Sequence, residues 1–231
     1  MRWPLPFLAA LALASCAREP PASEPAPVAA RAPTAWADDV ARFEAADRRT
    51  PPRVGGVLFV GSSSIRLWPA LKADFSGVNL LQRGFGGAEL SDIVYYAPRI
   101  VLPQQPRLIV LYAGDNDLAA GKSPVAVFRD YQAFVALVQR ALPETRIAFI
   151  AIKPSRARWS LVEQMRATNA LVRRHAVTDA RLLYVDVFTP MLGPDGMPRE
   201  ELFVEDRLHM NARGYALWRD LLMPIVRNAI R

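Results

Sequence analysis

The sequence predicts an α/β fold, a three-layer α/β/α sandwich on a five-stranded parallel sheet. Three observations predict it. Short apolar runs alternate with longer amphipathic segments over residues 36–231. The apolar runs are continuous rather than alternating, as in strands covered by helices on both faces. Small and polar residues follow the runs directly, where open α/β sheets carry their ligands.

In order, "WADDVARFEAADRR" from Trp36 reads as an amphipathic helix closed by "TPPRVGG". "GVLFVG" is the first strand and runs into "SSS". "IRLWPALKADF" is a short helical stretch that Pro69 interrupts. "GVNLLQRGF" holds the second strand, "AELSDIVYYAPRIV" the next helix and "RLIVLYAG" the third strand. "SPVAVFRDYQAFVALVQRAL" is helical, with Ser123 as N-cap and Pro124 at the first helical position. "RIAFIAI" is the fourth strand. "SLVEQMRATNALVRRHA" is helical, with Ser160 and Glu163 forming a capping box. "RLLYVDV" is the fifth strand, and a final helix starts at "NARGYALW" and contains Pro224. Strands linked by helical crossovers close into a parallel, doubly wound sheet.

The 231 residues, 52% of them apolar, suffice for one domain with a full core. The formal net charge is +7, but Lys and Arg are dispersed, with no basic block and no aromatic-interleaved stripe, so no nucleic-acid partner is expected. One cysteine excludes an intrachain disulfide and a Cys-rich metal site. No HExxH is present, and "GFGGAE" is not a dinucleotide fingerprint, so neither metal nor cofactor is expected.

The N-terminus, "MRWPLPFLAALALASC", has one Arg, an apolar run too short to span a bilayer, and then small residues. Leu13, Ala14, Ser15 and Cys16 resemble the bacterial lipobox. That resemblance implies a signal peptide over residues 1–15, cleavage before Cys16 and acylation of Cys16. Ala17 after the cysteine implies the outer membrane, facing the periplasm. "AREPPASEPAPVAARAP" is rich in Pro and Ala and has no large apolar side chain except Val28, so residues 16–35 read as a tether. The folded domain is expected over 36–231.

Within it, the strand ends collect the chemistry. The first delivers Gly61 to Ser64, the second Gly84 to Glu89, the third Ala113 to Asp117, and the loop after the fifth carries Asp206 and His209. A serine hydroxyl needs a base to act as a nucleophile. Of the two histidines, His175 lies late in a helix and reads as a surface or capping residue. His209 lies on a strand-end loop, three residues after an Asp that one turn points the same way. A glycine-rich turn, "GFGG", and the Asn116 amide supply donors for an oxyanion. These residues suit acyl transfer, with Ser62, Ser63 and Ser64 all open as the nucleophile.

The four blocks, in this order, resemble those of the SGNH hydrolases, also called GDSL-type esterases, over roughly Val57 to Arg231. The platelet-activating-factor acetylhydrolase-like branch is the most similar, through "LFVG", "GFGG" and "LHMNARGY". The resemblance implies a flavodoxin-like sandwich and a carboxylic ester hydrolase without a cofactor. It puts Ser63 in the nucleophile's place, Asp206 and His209 as its triad partners, and Ser63, Gly87 and Asn116 in the oxyanion hole. One residue departs from the pattern: Ser62 stands where the family usually has Asp. Ser62 and Ser64 then read as turn residues whose hydroxyls satisfy backbone groups.

The expected substrates are acetyl or short acyl esters on envelope glycans or lipids. A lysophospholipase-type activity is the alternative, and a non-catalytic ligand-binding lipoprotein is a second. Elsewhere, Asp115 and Asp117 are expected to hold the turn around Asn116, and Tyr95–Tyr96 to pack a helix. Trp68, Trp159 and Trp218 read as anchors between helices and sheet. "KPSRARW" reads as a solvated basic loop, or as a pocket rim where Arg156 or Arg158 meets an acidic group.

Overall fold

The computed structural model describes Met1 and residues 34–230. The signal peptide and nearly all of the tether therefore lie outside the described residues. Five strands, β1 (Val57–Gly61), β2 (Leu80–Gly84), β3 (Leu108–Tyr112), β4 (Arg146–Ile150) and β5 (Leu182–Val185), form one parallel sheet in the order β2-β1-β3-β4-β5. This is the doubly wound flavodoxin-like order, whose switch point lies between β1 and β3. Every residue of β1 and β3 is buried, which is why both runs are apolar throughout.

Helices α1 (Ala37–Arg49), α4 (Leu90–Ile100), α6 (Pro124–Ala141) and α7 (Val162–Ala176) pack side by side on one face. The short α2 (Ser63–Arg66) and α3 (Leu71–Asp74) lie with α8 (Ala212–Ala229) on the other, and Pro69 separates α2 from α3. α5 (Asp115–Ala119) is a single short turn after β3. Trp68 and Trp218 are fully buried and meet at 6.2 Å, with Phe59, Phe75, Tyr112 and Tyr215 around them. Tyr131 against Phe149 fills the opposite face. Trp159 is only half-buried and has no ring partner among the described residues, so it is not a core anchor.

α1 is tied down along its length. Val40 is buried, Glu44 takes two bonds of 2.7 Å from Arg99 of α4, and Asp47 pairs with the buried Arg83 of β2 and accepts from Gln104. At the end of β2, Gly84 lies against the backbone of α2: a Cβ there would stand 2.3 Å from the Arg66 nitrogen. Only glycine lets the helix that starts at Ser63 sit so close to the sheet.

Ser123 caps α6 as expected, accepting from the Ala126 N–H. The predicted capping box at Ser160 and Glu163 is absent. Residues Arg156–Leu161 form a 3-10 helix broken at Arg158, and α7 begins only at Val162 with no side-chain cap. The Arg158 side chain is held by groups after β3, and the kink carries it there. A capping box does exist one helix layer away, between Glu89 and Asp92 of α4. The His175 side chain is half-buried and caps no helix end. Its ring stands edge-on to Phe128 and Tyr131. Of the tyrosine pair, Tyr96 packs edge-on to Phe85, and Tyr95 is exposed.

Candidate active site

β1 ends at Gly61, and the chain turns at once into α2. The Ser62 N–H donates to the Tyr112 carbonyl at 3.0 Å, and the Ser62 carbonyl accepts from Ile65 and Arg66. The handover thus runs on backbone groups. Contrary to expectation, the Ser62 and Ser64 hydroxyls bond none of them: both are buried, Ser62 without a hydrogen-bond partner among the described residues and Ser64 beside the buried Tyr112 phenol. Ser63, between them, faces out of the core. Its Oγ lies 3.0 Å from Nε2 of His209, 146 residues away.

The segment that brings His209 there is a tight turn. Arg207 adopts φ +56°, its N–H donates to the Val204 carbonyl, and the Val204 N–H donates to the His209 carbonyl. Asn211 secures its far end. The Asn211 Oδ1 caps α8 through the N–H groups of Arg213 and Gly214, and its Nδ2 donates to the carbonyls of Glu201 and Phe203. Inside the turn, Asp206 Oδ2 lies 2.6 Å from His209 Nδ1, and Oδ1 accepts from the Leu208 and His209 N–H groups at 2.9 and 2.8 Å. Partial burial raises the Asp206 carboxyl, but the His209 ring and these two N–H groups outweigh it and bring it down to about 2.

On the other side of Ser63 stand the two remaining blocks. Gly87 has φ +78°, a backbone glycine tolerates, and its N–H has no partner among the described residues. The Ser63 N–H has none either. Asn116, in α5, donates from Nδ2 to the Ala88 carbonyl at 3.0 Å and accepts at Oδ1 from Arg158 Nη2 at 2.9 Å. One amide hydrogen is left over.

The acidic neighbours of Asn116 do hold the turn, by different means. Asp115 is buried and meets Lys153 Nζ at 3.2 Å and Arg158 Nη1 at 3.0 Å. Burial alone would raise its carboxyl; the two cations hold it below the usual carboxylate range. Asp117 accepts from the Leu90 N–H at the start of α4 and pairs with Lys122, which also meets Glu89 and Asp130. Burial pushes the Asp117 carboxyl up to about 6 against these partners. "KPSRARW" is therefore not a solvated loop: Lys153 is fully buried. Arg158 is not free for a substrate acid, being spent on Asn116 and Asp115, while Arg156 makes one ion pair of 3.5 Å with the exposed Glu200.

A hydroxyl, an imidazole and a carboxylate in a continuous hydrogen-bonded row can pass a proton from oxygen to ring while the ring stays in one tautomer. Facing donors with no partner of their own can receive a developing negative oxygen. Among the described residues no group of three or more His, Cys, Asp or Glu side chains could hold a metal ion. Two supports are not legible as such in the sequence, where Arg158 reads only as a pocket-rim candidate. Arg158 lies 42 residues from Asn116, and Trp36, 50 residues from the glycine turn, donates from its indole to the Gly86 carbonyl at 2.7 Å. Neither spacing belongs to a motif.

A family model for GDSL-like lipases and acylhydrolases matches residues 58–217. No curated protein matches the chain in sequence. Among solved structures, one from Streptococcus pneumonia, described in terms of platelet activating factor, superposes with a TM-score of 0.73 at 18% identity, over 82% of this chain and 91% of that one. A GDSL-like lipase from Bacteroides thetaiotaomicron gives 0.72 at 19% identity, over 82% and 98%. An acetyl esterase variant with an acetate ion gives 0.61 at 16% identity, over 77% and 98%.

Proposed function

The chain belongs to the GDSL-like lipase/acylhydrolase family and is a carboxylic ester hydrolase, and on that premise we propose that it works through a Ser63–His209–Asp206 acyl-enzyme mechanism. The observation that carries this reading is the row Ser63 Oγ, His209, Asp206, at 3.0 and 2.6 Å. His209 Nε2 takes the Ser63 proton as Oγ attacks the ester carbonyl carbon. Asp206 keeps the Nδ1–H in place and stabilises the imidazolium. The carbonyl electron pair moves onto oxygen, where the N–H groups of Ser63 and Gly87 and the Asn116 amide receive it. The intermediate collapses, and the leaving alcohol takes the proton from His209. Water, deprotonated by His209, then attacks the acyl-enzyme, and the acid leaves as Ser63 regains its proton.

The substrates of this reading are acetyl or short acyl esters on envelope glycans or lipids. The acetyl esterase with acetate among the fold relatives supports the small acyl group. A lysophospholipase-type activity is the second reading. A mostly apolar cleft of about 380 Å³ beside the end of α2, lined by Leu67, Met210, Ala212 and Tyr215 together with Asp74, Asn211 and Arg219, favours it. A non-catalytic module loses its one support, since the departure at Ser62 leaves a buried hydroxyl away from the row. We further read the protein as lipid-anchored through Cys16 to the outer membrane, facing the periplasm, on the strength of Leu13–Cys16 alone.

Initial rates of the full-length chain on p-nitrophenyl esters from acetate to palmitate, with Ser63→Ala in parallel, test the reading. A maximum at acetate that vanishes in the variant supports the short-acyl enzyme, and a maximum at long chains the lipid esterase. Turnover that survives in Ser63→Ala overturns the mechanism.

A further inference from the structure

We propose that Trp36 is a positioning residue for the oxyanion hole, orienting the Gly86–Gly87 peptide so that the Gly87 N–H faces the reacting carbonyl. The inference rests on the reading of Gly87 as an oxyanion donor. The Gly86 carbonyl and the Gly87 N–H belong to one planar amide and, being trans, point in opposite directions. The indole Nε1–H of Trp36 donates to that carbonyl at 2.7 Å. Fixing the oxygen therefore fixes the direction of the hydrogen.

The peptide needs such a hold. It joins two glycines, the residues with the widest backbone freedom, and Gly87 sits at φ +78°. No other described group bonds the Gly86 oxygen, and the Gly87 N–H has no described partner of its own. A strong donor on the carbonyl side also polarises the amide and makes its N–H a better donor on the other side.

Trp36 is itself held. Its ring packs on the buried Phe85 at 6.0 Å, one residue before the glycine pair. It stands at the start of α1, which the ion pairs Glu44–Arg99 and Asp47–Arg83 bind to the domain. The arm that reaches the glycine turn is thus anchored to α4 and β2, not to the turn it steers.

Trp36→Phe keeps the ring on Phe85 and deletes the N–H. In the full-length chain, kcat on p-nitrophenyl acetate should fall about five- to thirtyfold, below the hundred- to thousandfold that a whole donor is worth. KM should stay within about twofold. The Ki of an aryl trifluoromethyl ketone, which forms a hemiketal oxyanion on the serine, should rise by the same factor as kcat falls, a match that loose packing does not produce. Replacing Trp36 by 3-benzothienylalanine, which puts sulfur at the N–H position in a ring of the same shape, should give the same loss even if the Phe variant is unstable. A kcat and Ki within about twofold of wild type in the benzothienyl protein overturn the inference. If Ser63→Ala is inert while that protein is fully active, Trp36 alone is misread. If Ser63→Ala turns over, the reading of the whole site fails.

Discussion

Arg158 donates from Nη2 to the Oδ1 of Asn116 at 2.9 Å, and the same amide donates from Nδ2 to the Ala88 carbonyl at 3.0 Å. The two bonds fix which end of the amide is oxygen and leave one N–H aimed away from both. Losing Arg158 lets the amide turn over and present its oxygen to the substrate. Arg158→Met should lower kcat about tenfold with little change in KM, and Asn116→Ala about a hundred- to thousandfold. The double variant should be no worse than Asn116→Ala, because both act through one group. Steady-state kinetics of the three proteins check this.

The serine row separates chemistry from fold. Ser63→Ala should reduce turnover by more than about ten-thousandfold at unchanged Tm. Ser62→Ala removes a buried hydroxyl that has no partner among the described residues, so it should keep activity within about twofold. It should be neutral or stabilising by up to about 1 kcal/mol, since no hydrogen bond is lost and a desolvated hydroxyl is removed. Thermal melts and p-nitrophenyl acetate assays on the two variants are the measurement.

Asp206 is held down to about 2, so it stays ionised except in strong acid. A general base works deprotonated, so the acid limb of kcat/KM should have a limiting log slope of one. A slope of two between pH 4 and 7 would mean that Asp206 takes a proton there. The stability linked to Asp206 has the sign of a depressed carboxyl: it is complete above an ordinary Asp value near 4 and is lost as pH falls toward 2.

Cys16→Ser should abolish palmitate labelling of the chain and move it from the membrane pellet to the soluble periplasmic fraction, with activity on soluble esters unchanged. On the reading of Cys16 as acylated, two or more acyl chains, each methylene worth about 0.8 kcal/mol, would make the anchorage effectively complete.

The strand positions and most helix positions follow from local patterns, because a buried parallel strand writes itself as a continuous apolar run and Ser123–Pro124 writes a helix start. The row Ser63, His209 and Asp206 and the nearby Asn116 stand in short sequence blocks, Ser63 and Asn116 directly after β1 and β3 and Asp206 and His209 on the long loop after β5. The supports of those residues do not. Trp36, Arg158 and Lys153 act across 50, 42 and 38 residues, and one side chain meeting one distant group leaves no periodic trace. The misplaced cap at Ser160 has the same origin. Its local S-x-x-E pattern was sound, but the pull of Asp115 and Asn116 on Arg158 bent the segment into a 3-10 helix first. Ser62 and Ser64 misled in the opposite direction, since backbone groups alone complete the turn their hydroxyls were expected to close.

His209 stands 146 residues after the hydroxyl it contacts, and 24 residues after β5 ends at Val185. A ribosome therefore finishes every strand of the sheet before it makes the imidazole. A chain interrupted anywhere before Asp206 carries Ser63 as an ordinary alcohol, harmless to the esters around it. On the proposed mechanism reactivity arrives only with the segment that carries Asp206 and His209, so a copy cut short before it is inert without any inhibitor to silence it.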